Sequence, residues 1–236
     1  GVSRPVSAML SIHPDRSQFF WYETITLSCE GTDNSGNWTL KRNTSSKTAE
    51  SCISGWGVSN QTSCTILDTY ASDTGTYWCE SDRGECSETI NITVKYGVIL
   101  ESPALPVTED ETVILLCYYK YDEESKATSN FSANFYKDGH LISTQPAGNL
   151  TFSAVSLSDE GFYKCEHPTK GQSAQSWMAV KGKGGQSCLP PLTPNGRYRQ
   201  QMAPPLPEHS FAGGFFLLKE RFSLPLLPKC LLIGGY

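Results

Sequence analysis

The chain has 236 residues, enough for one large domain or two of ordinary size. Its 19 Lys and Arg against 24 Asp and Glu give a net charge of −5, which leaves no general basis for nucleic-acid binding. The nine cysteines include no C-x-x-C pair, which removes the main support for zinc-ribbon and thioredoxin patterns.

Read from the N-terminus, Thr24–Glu30 (TITLSCE) alternates Ile25, Leu27 and Cys29 with Thr24, Thr26 and Ser28, the period of a half-buried strand. Trp38 follows Cys29 by nine residues. TSCTILD (Thr62–Asp68) is a further short strand and leads to DTGTYWCE (Asp73–Glu80). ETINITV (Glu88–Val94) places Ile90, Ile92 and Val94 on one face, with Asn91 turned to solvent. A second unit then repeats the order: ETVILLCYY (Glu111–Tyr119) with Cys117, NFYKDG (Asn134–Gly139), NLTFSAV, DEGFYKCE (Asp159–Glu166) and SAQSWMAV. KDG marks a turn, since Gly tolerates φ > 0 there.

D-x-G-x-Y-x-C thus occurs twice at domain spacing. Many short strands, frequent turns and no long helical period indicate an all-β protein built as two tandem immunoglobulin-like β-sandwiches. In that fold the motif's Cys bridges to the opposite sheet, giving Cys29–Cys79 and Cys117–Cys165. Its Tyr, Tyr77 or Tyr163, hydrogen-bonds back to the backbone at the corner. Trp38 and Phe135 fill the core position between the two cysteines. Thr76, Phe162, Trp78 and Lys164 are expected to face outward. The expected domains are 1–96 and 97–181.

Cys52, Cys64 and Cys86 remain in the first unit. Cys52–Cys64, stapling the loop around GWGVSNQTS, is favoured over a pairing with Cys86, which would then be free or intermolecular. Six N-x-[ST] sequons, at Asn37, Asn43, Asn60, Asn91, Asn130 and Asn149, together with the spaced cysteines point to an extracellular glycoprotein. Residues 182–236 break the pattern. They hold eight of the 14 prolines and a charge of +4, leaving −9 on residues 1–181. No apolar run reaches the roughly 18 residues needed to span a bilayer. The tail is expected to be irregular and disordered, without a membrane anchor, so that this form is secreted. Gly182-Lys183, encodable as GGTAAG, suggests read-through into an intron.

His13, His140, His167 and His209 are scattered with no neighbouring carboxylate set, and no metal-ligand or phosphate-cradling pattern occurs. The expectation is a binding protein with no cofactor, no small-molecule substrate and no catalytic site. CYYKYDEESK (Cys117–Lys126), between the second unit's B and C strands, sets Tyr119 and Tyr121 beside Asp122, Glu123 and Glu124. Tyrosines in such a loop suit a protein contact. Loop EHPTKGQS (Glu166–Ser173), with His167 and Lys170, lies at the same end of the sandwich and shares that surface.

RPVSAMLSIHPDRSQFFWYETITLSCE, WTLKRNTSSKT, SDTGTYWCES, GVILESPALPVTEDETVILLC and FYKDG together resemble the Fc-receptor and Fc-receptor-like leukocyte receptors, most closely the two-domain forms of bony fish. The resemblance covers residues 1–181. It implies a leukocyte receptor, cell-surface or shed, whose second domain binds the Fc portion of antibody through its B–C, C′–E and F–G loops and the linker. In IgG-binding relatives two tryptophans clamp an antibody proline. The positions nearest them here are Leu105 and Lys120, and neither is Trp. The alternative is an adhesion or MHC-like ligand receptor using the same sandwich ends.

Overall fold

A computed structural model describes residues 8–31, 37–60 and 62–183. The first sandwich contains β1 (Met9–His13), β2 (Gln18–Phe19), β3 (Ile25–Glu30), β4 (Trp38–Thr44), β5 (Glu50–Ser51), β6 (Val58–Asn60), β7 (Ser63–Ile66), β8 (Gly75–Ser81) and β9 (Ile90–Val94). One sheet runs β1-β3-β7-β6 and the facing sheet β2-β9-β8-β4-β5. The second sandwich contains β10 (Gly97–Glu101), β11 (Val107–Thr108), β12 (Val113–Lys120), β13 (Ala133–Lys137), β14 (His140–Gln145) and β15 (Asn149–Phe152). It closes with β16 (Gly161–His167), β17 (Gly171–Gln172), β18 (Ser176–Met178) and β19 (Val180–Lys181). Its sheets run β10-β12-β15 and β14-β13-β16-β17, with β18 also on β16. In each sandwich one short pair is parallel, β2 with β9 and β11 with β19. Among the described residues no helix is long and apolar enough to cross a membrane.

Alternation places Ile25, Leu27 and Cys29 of β3 against Trp38, Leu40, Tyr77 and Cys79 in one core. Val113, Leu115 and Cys117 of β12 meet Phe135, Tyr163 and Cys165 in the other. Bridges Cys29–Cys79 and Cys117–Cys165 join the facing sheets, and Cys52–Cys64 staples the loop before β7.

The repeated motif has a physical reason at each position. Asp73 accepts from its own turn's first backbone N–H, at Tyr70 (2.9 Å), and Asp159 does the same for Ser156 (2.8 Å). Gly75 runs so close to strand β4 that an added Cβ would lie 2.0 Å from the Asn43 carbonyl oxygen. A Cβ at Gly161 would meet Lys137 at 2.8 Å and Asp138 at 2.9 Å. The phenols of Tyr77 and Tyr163 each donate to the carbonyl of the motif's Asp, at 2.6 Å in both copies. Burial pushes the Tyr77 hydroxyl up to about 12, against the pull of nearby Arg42.

Two expectations are corrected. Trp78 is fully buried rather than at the surface. Its indole N–H donates to Glu80 (3.4 Å), and the Lys41–Glu80 ion pair (3.0 Å) spans the strands beside the ring. Cys86 is disulfide-bonded, so it is not a free thiol. The Pro-rich tail with its intron reading, and Cys188 and Cys230, lie outside the described residues.

Beneath the first core, Arg42 donates to Asp73 (2.7 Å) and Glu50 (3.0 Å) and stacks 4.4 Å from the Trp56 ring centroid. Removing one partner of a buried pair strands the other charge. Arg42→Ala is therefore expected to destabilise the first sandwich by about 3 kcal/mol. Calorimetry on the full chain should show its transition lowered and that of the second sandwich unmoved.

Candidate functional site

The two sandwiches meet through polar groups that are almost fully satisfied. Gln18 is completely buried; its amide N donates to the Ala174 carbonyl (2.9 Å) and Ser176 hydroxyl (2.7 Å), and its oxygen accepts from Leu100 N (3.1 Å). Ser17 adds a 2.7 Å bond to Ser176. On the far side of the junction, Asp15 accepts from the backbone N–H groups of Ala104 (2.9 Å) and Leu105 (3.2 Å).

At the other end of β10, antiparallel pairing sets Gly97 opposite Lys120 and Val98 opposite Tyr119, so the B–C loop emerges beside the linker. Asp122 accepts from Ser125, at 2.8 Å from its N–H and 2.5 Å from its hydroxyl, and these bonds hold the Asp122 carboxyl below its usual range. That turn leaves Tyr121 74% exposed. Glu123 reaches the first sandwich, where one carboxylate oxygen accepts from the Tyr96 (2.6 Å) and Tyr22 (3.2 Å) hydroxyls. Accepting from Tyr96 favours that phenol's neutral form and raises its pKa.

Tyr22 holds a left-handed φ of 63°, unusual for an aromatic residue, and its N–H donates to the Thr69 carbonyl (2.8 Å). Around it Trp21 stacks on Tyr96 (4.2 Å between centroids) and meets Tyr70 edge-on (5.8 Å). Tyr96, Tyr121, Asp122, Glu123 and Glu124 line an open cleft of about 530 Å³.

The F–G end completes the surface. The His167 ring lies 5.1 Å from Tyr119 and 4.3 Å from Phe131. Its Nδ1 accepts from the backbone N–H groups of Thr169 (3.1 Å) and Lys170 (3.2 Å), which places the neutral ring's proton on Nε2. The Lys170 ammonium sits 5.5 Å from the Tyr119 centroid and 5.8 Å from that of Tyr121.

Of the six candidate contact residues, Tyr119, Tyr121, His167 and Lys170 converge. Lys120 turns back, its ammonium 6.0 Å from the Phe20 ring of the first sandwich. Leu105 lies beyond the far end of β10 and packs with Ala104 against the first core, away from the loops. Sequence reasoning missed Tyr22, Tyr70, Tyr96 and Phe131; the aromatic run FFWY (Phe19–Tyr22) was the visible signal for the first-sandwich part. Among the sequons, Asn37, Asn60, Asn91, Asn130 and Asn149 are exposed, and half-buried Asn43 accepts from Ala49 N at 2.6 Å.

Burial, then the nearby Lys170 charge, lowers the His167 pKa. The unfolded chain therefore takes the proton first. The contribution of this corner to stability is complete above about pH 6.5 and is lost as pH falls. An NMR titration should give His167 a midpoint below that of a free histidine, with the 167–170 turn opening as it protonates. A midpoint at or above the free value would remove this account.

Residues 97–179 match the family described as immunoglobulin domain. Over 168 residues, 69% of this chain and 26% of the relative, the sequence is 26% identical to Fc receptor-like protein 5 of Mus musculus. Over 190 residues, 79% of this chain and 54% of the relative, it is 25% identical to low affinity immunoglobulin gamma Fc region receptor II of Mus musculus. The chain thus spans about a quarter and about half of the lengths of these two relatives. Among solved structures, the second Ig-C2 domain of human Fc-receptor like A matches with 22% identity and a TM-score of 0.30, covering 37% of this chain and 100% of that one.

Proposed function

We propose that this chain is an immunoglobulin-domain ectodomain of the Fc-receptor and Fc-receptor-like family and that it binds the Fc portion of immunoglobulin through the linker-proximal end of its second sandwich. The observation that carries this reading is the convergence of Tyr119, Tyr121, His167 and Lys170, from two loops, beside a cleft walled by Tyr96 and Tyr121. Tyrosines bring large contact area with few rotatable bonds, the chemistry of protein-binding hot spots. The positions nearest the tryptophan clamp of IgG-binding relatives are Leu105 and Lys120. Here Tyr96 and Tyr121, on either side of one cleft, offer aromatic walls instead.

The tether from Glu123 to Tyr22 and Tyr96 supports the same reading, because a loop held before binding loses less conformational freedom on contact. Binding of this kind needs no catalytic group and no cofactor. The three disulfides between described residues, and the bonded Cys86, suit an oxidising, extracellular setting.

Surface plasmon resonance of the full chain against purified antibody classes, with Fc and Fab fragments separated, tests the proposal. Saturable binding to Fc and none to Fab is expected. Tyr121→Ala should weaken it at least tenfold, while Leu157→Ala, an exposed position outside the two loops, should leave it unchanged. A folded chain that binds no antibody class would reject the reading.

A further inference from the structure

The two copies of D-x-G-x-Y-x-C put Thr76 and Phe162 at the same place on the F strand, facing out. Their cross-strand neighbours differ in kind. In the first sandwich Thr76 pairs with Asn43 on one side and Asn91 on the other, and both asparagines begin sequons. By strand spacing the two lie roughly 10 Å apart with Thr76 between them. The Thr76 hydroxyl donates to the Asn91 side-chain oxygen (2.7 Å), leaving that amide nitrogen, the glycan acceptor, unengaged by this bond. Both neighbours of Thr76 in this row are thus sequon asparagines.

In the second sandwich the same row is bare and aromatic. Phe162 pairs with Trp177, which stands where Asn91 stands in the first unit, and Asp138 stands in the place of Asn43, its N–H donating to the Phe162 carbonyl (2.8 Å) and its carboxylate accepting from the Phe162 N–H (3.0 Å). The two rings pack edge to face at 4.8 Å and 68°, with Phe162 47% and Trp177 45% exposed. The next row continues the apolar surface through Tyr136 to Leu141, which is 57% exposed. The second unit's two sequons lie elsewhere, Asn130 in the loop before β13 and Asn149 on β15 of the opposite sheet.

We propose that this outer face, centred on Phe162 and Trp177, is where two copies of the chain associate about a two-fold axis. Two features favour a second copy as the occupant. First, an edge-to-face pair presents both a ring face and a ring edge, so it is complementary to itself, as a two-fold interface must be. Second, the face carries little net charge: its cation, Lys164, lies 5.0 Å from the Tyr136 ring, and its two anions are engaged, Glu166 accepting from the Tyr136 hydroxyl at 2.6 Å and Asp138 from the Phe162 N–H at 3.0 Å. Residues 1–181 as a whole carry −9, so copies repel less through this part of the surface than through the rest of it. Four strands at about 4.8 Å spacing make a small patch, below the roughly 800 Å² per partner of a stable complex, so the association is weak, with a dissociation constant on the order of 100 µM.

Sedimentation of the full, glycosylated chain over a concentration series tests this. The weight-average mass should rise from monomer towards dimer as concentration passes that value. Trp177→Asn combined with Ala179→Thr writes a sequon into the row and should leave the protein monomeric throughout. Phe162→Thr, the first sandwich's own residue at an exposed site, should weaken association at least tenfold without changing the melting profile or any antibody binding. A wild-type chain that stays monomeric at all concentrations, or a dimer that survives the added glycan, would overturn the proposal.

Discussion

The side chain of Gln18 is the constraint from which the placement of everything at the linker follows. It sits with no solvent exposure between two sandwiches, and each of its three bonds goes to the second one. A buried amide with every group paired tolerates little rotation or sliding, since any shift leaves a polar atom without water or a partner. Glu123 can therefore find the Tyr22 and Tyr96 hydroxyls, and Lys120 the Phe20 ring, only because the junction fixes which loop faces which aromatic group. The loop end of the second sandwich is built jointly with the first.

The fold was legible because each of its parts has a local signature. Alternation in TITLSCE and ETVILLCYY marked two central strands. The motif Asp-Gly-Tyr-Cys marked a corner whose four residues act within seven positions of chain: turn, close approach, hydrogen bond and bridge. What escaped was set by neighbours distant in sequence. Trp78 occupies an outward register and so reads as a surface residue. Its burial depends on cross-strand surroundings, including Lys41 and Glu80, that alternation does not encode.

The candidate site divides the same way. Tyr119, Tyr121, His167 and Lys170 could be grouped from the sequence because the sandwich topology brings B–C and F–G loops to one end. Tyr22, Tyr70 and Tyr96 could not, because their part depends on the angle between domains. Leu105 shows the converse. Assigned to the contact surface by resemblance, it lies along the chain from the loops by the full length of β10, and Asp15 and the first core hold it.

The short parallel pairs carry a mechanical consequence. In each sandwich the strand near the entry of the chain is hydrogen-bonded in parallel to the strand at its exit: Gln18 and Phe19 to Thr93 and Val94, Val107 and Thr108 to Val180 and Lys181. Tension applied along the chain pulls such strands past one another, so their bonds are loaded together in shear rather than opened one at a time. Should they yield, the inter-sheet bridges, which join residues 50 and 48 apart in sequence, keep most of each sandwich from paying out. A chain pulled from both ends would lengthen by only a fraction of its contour.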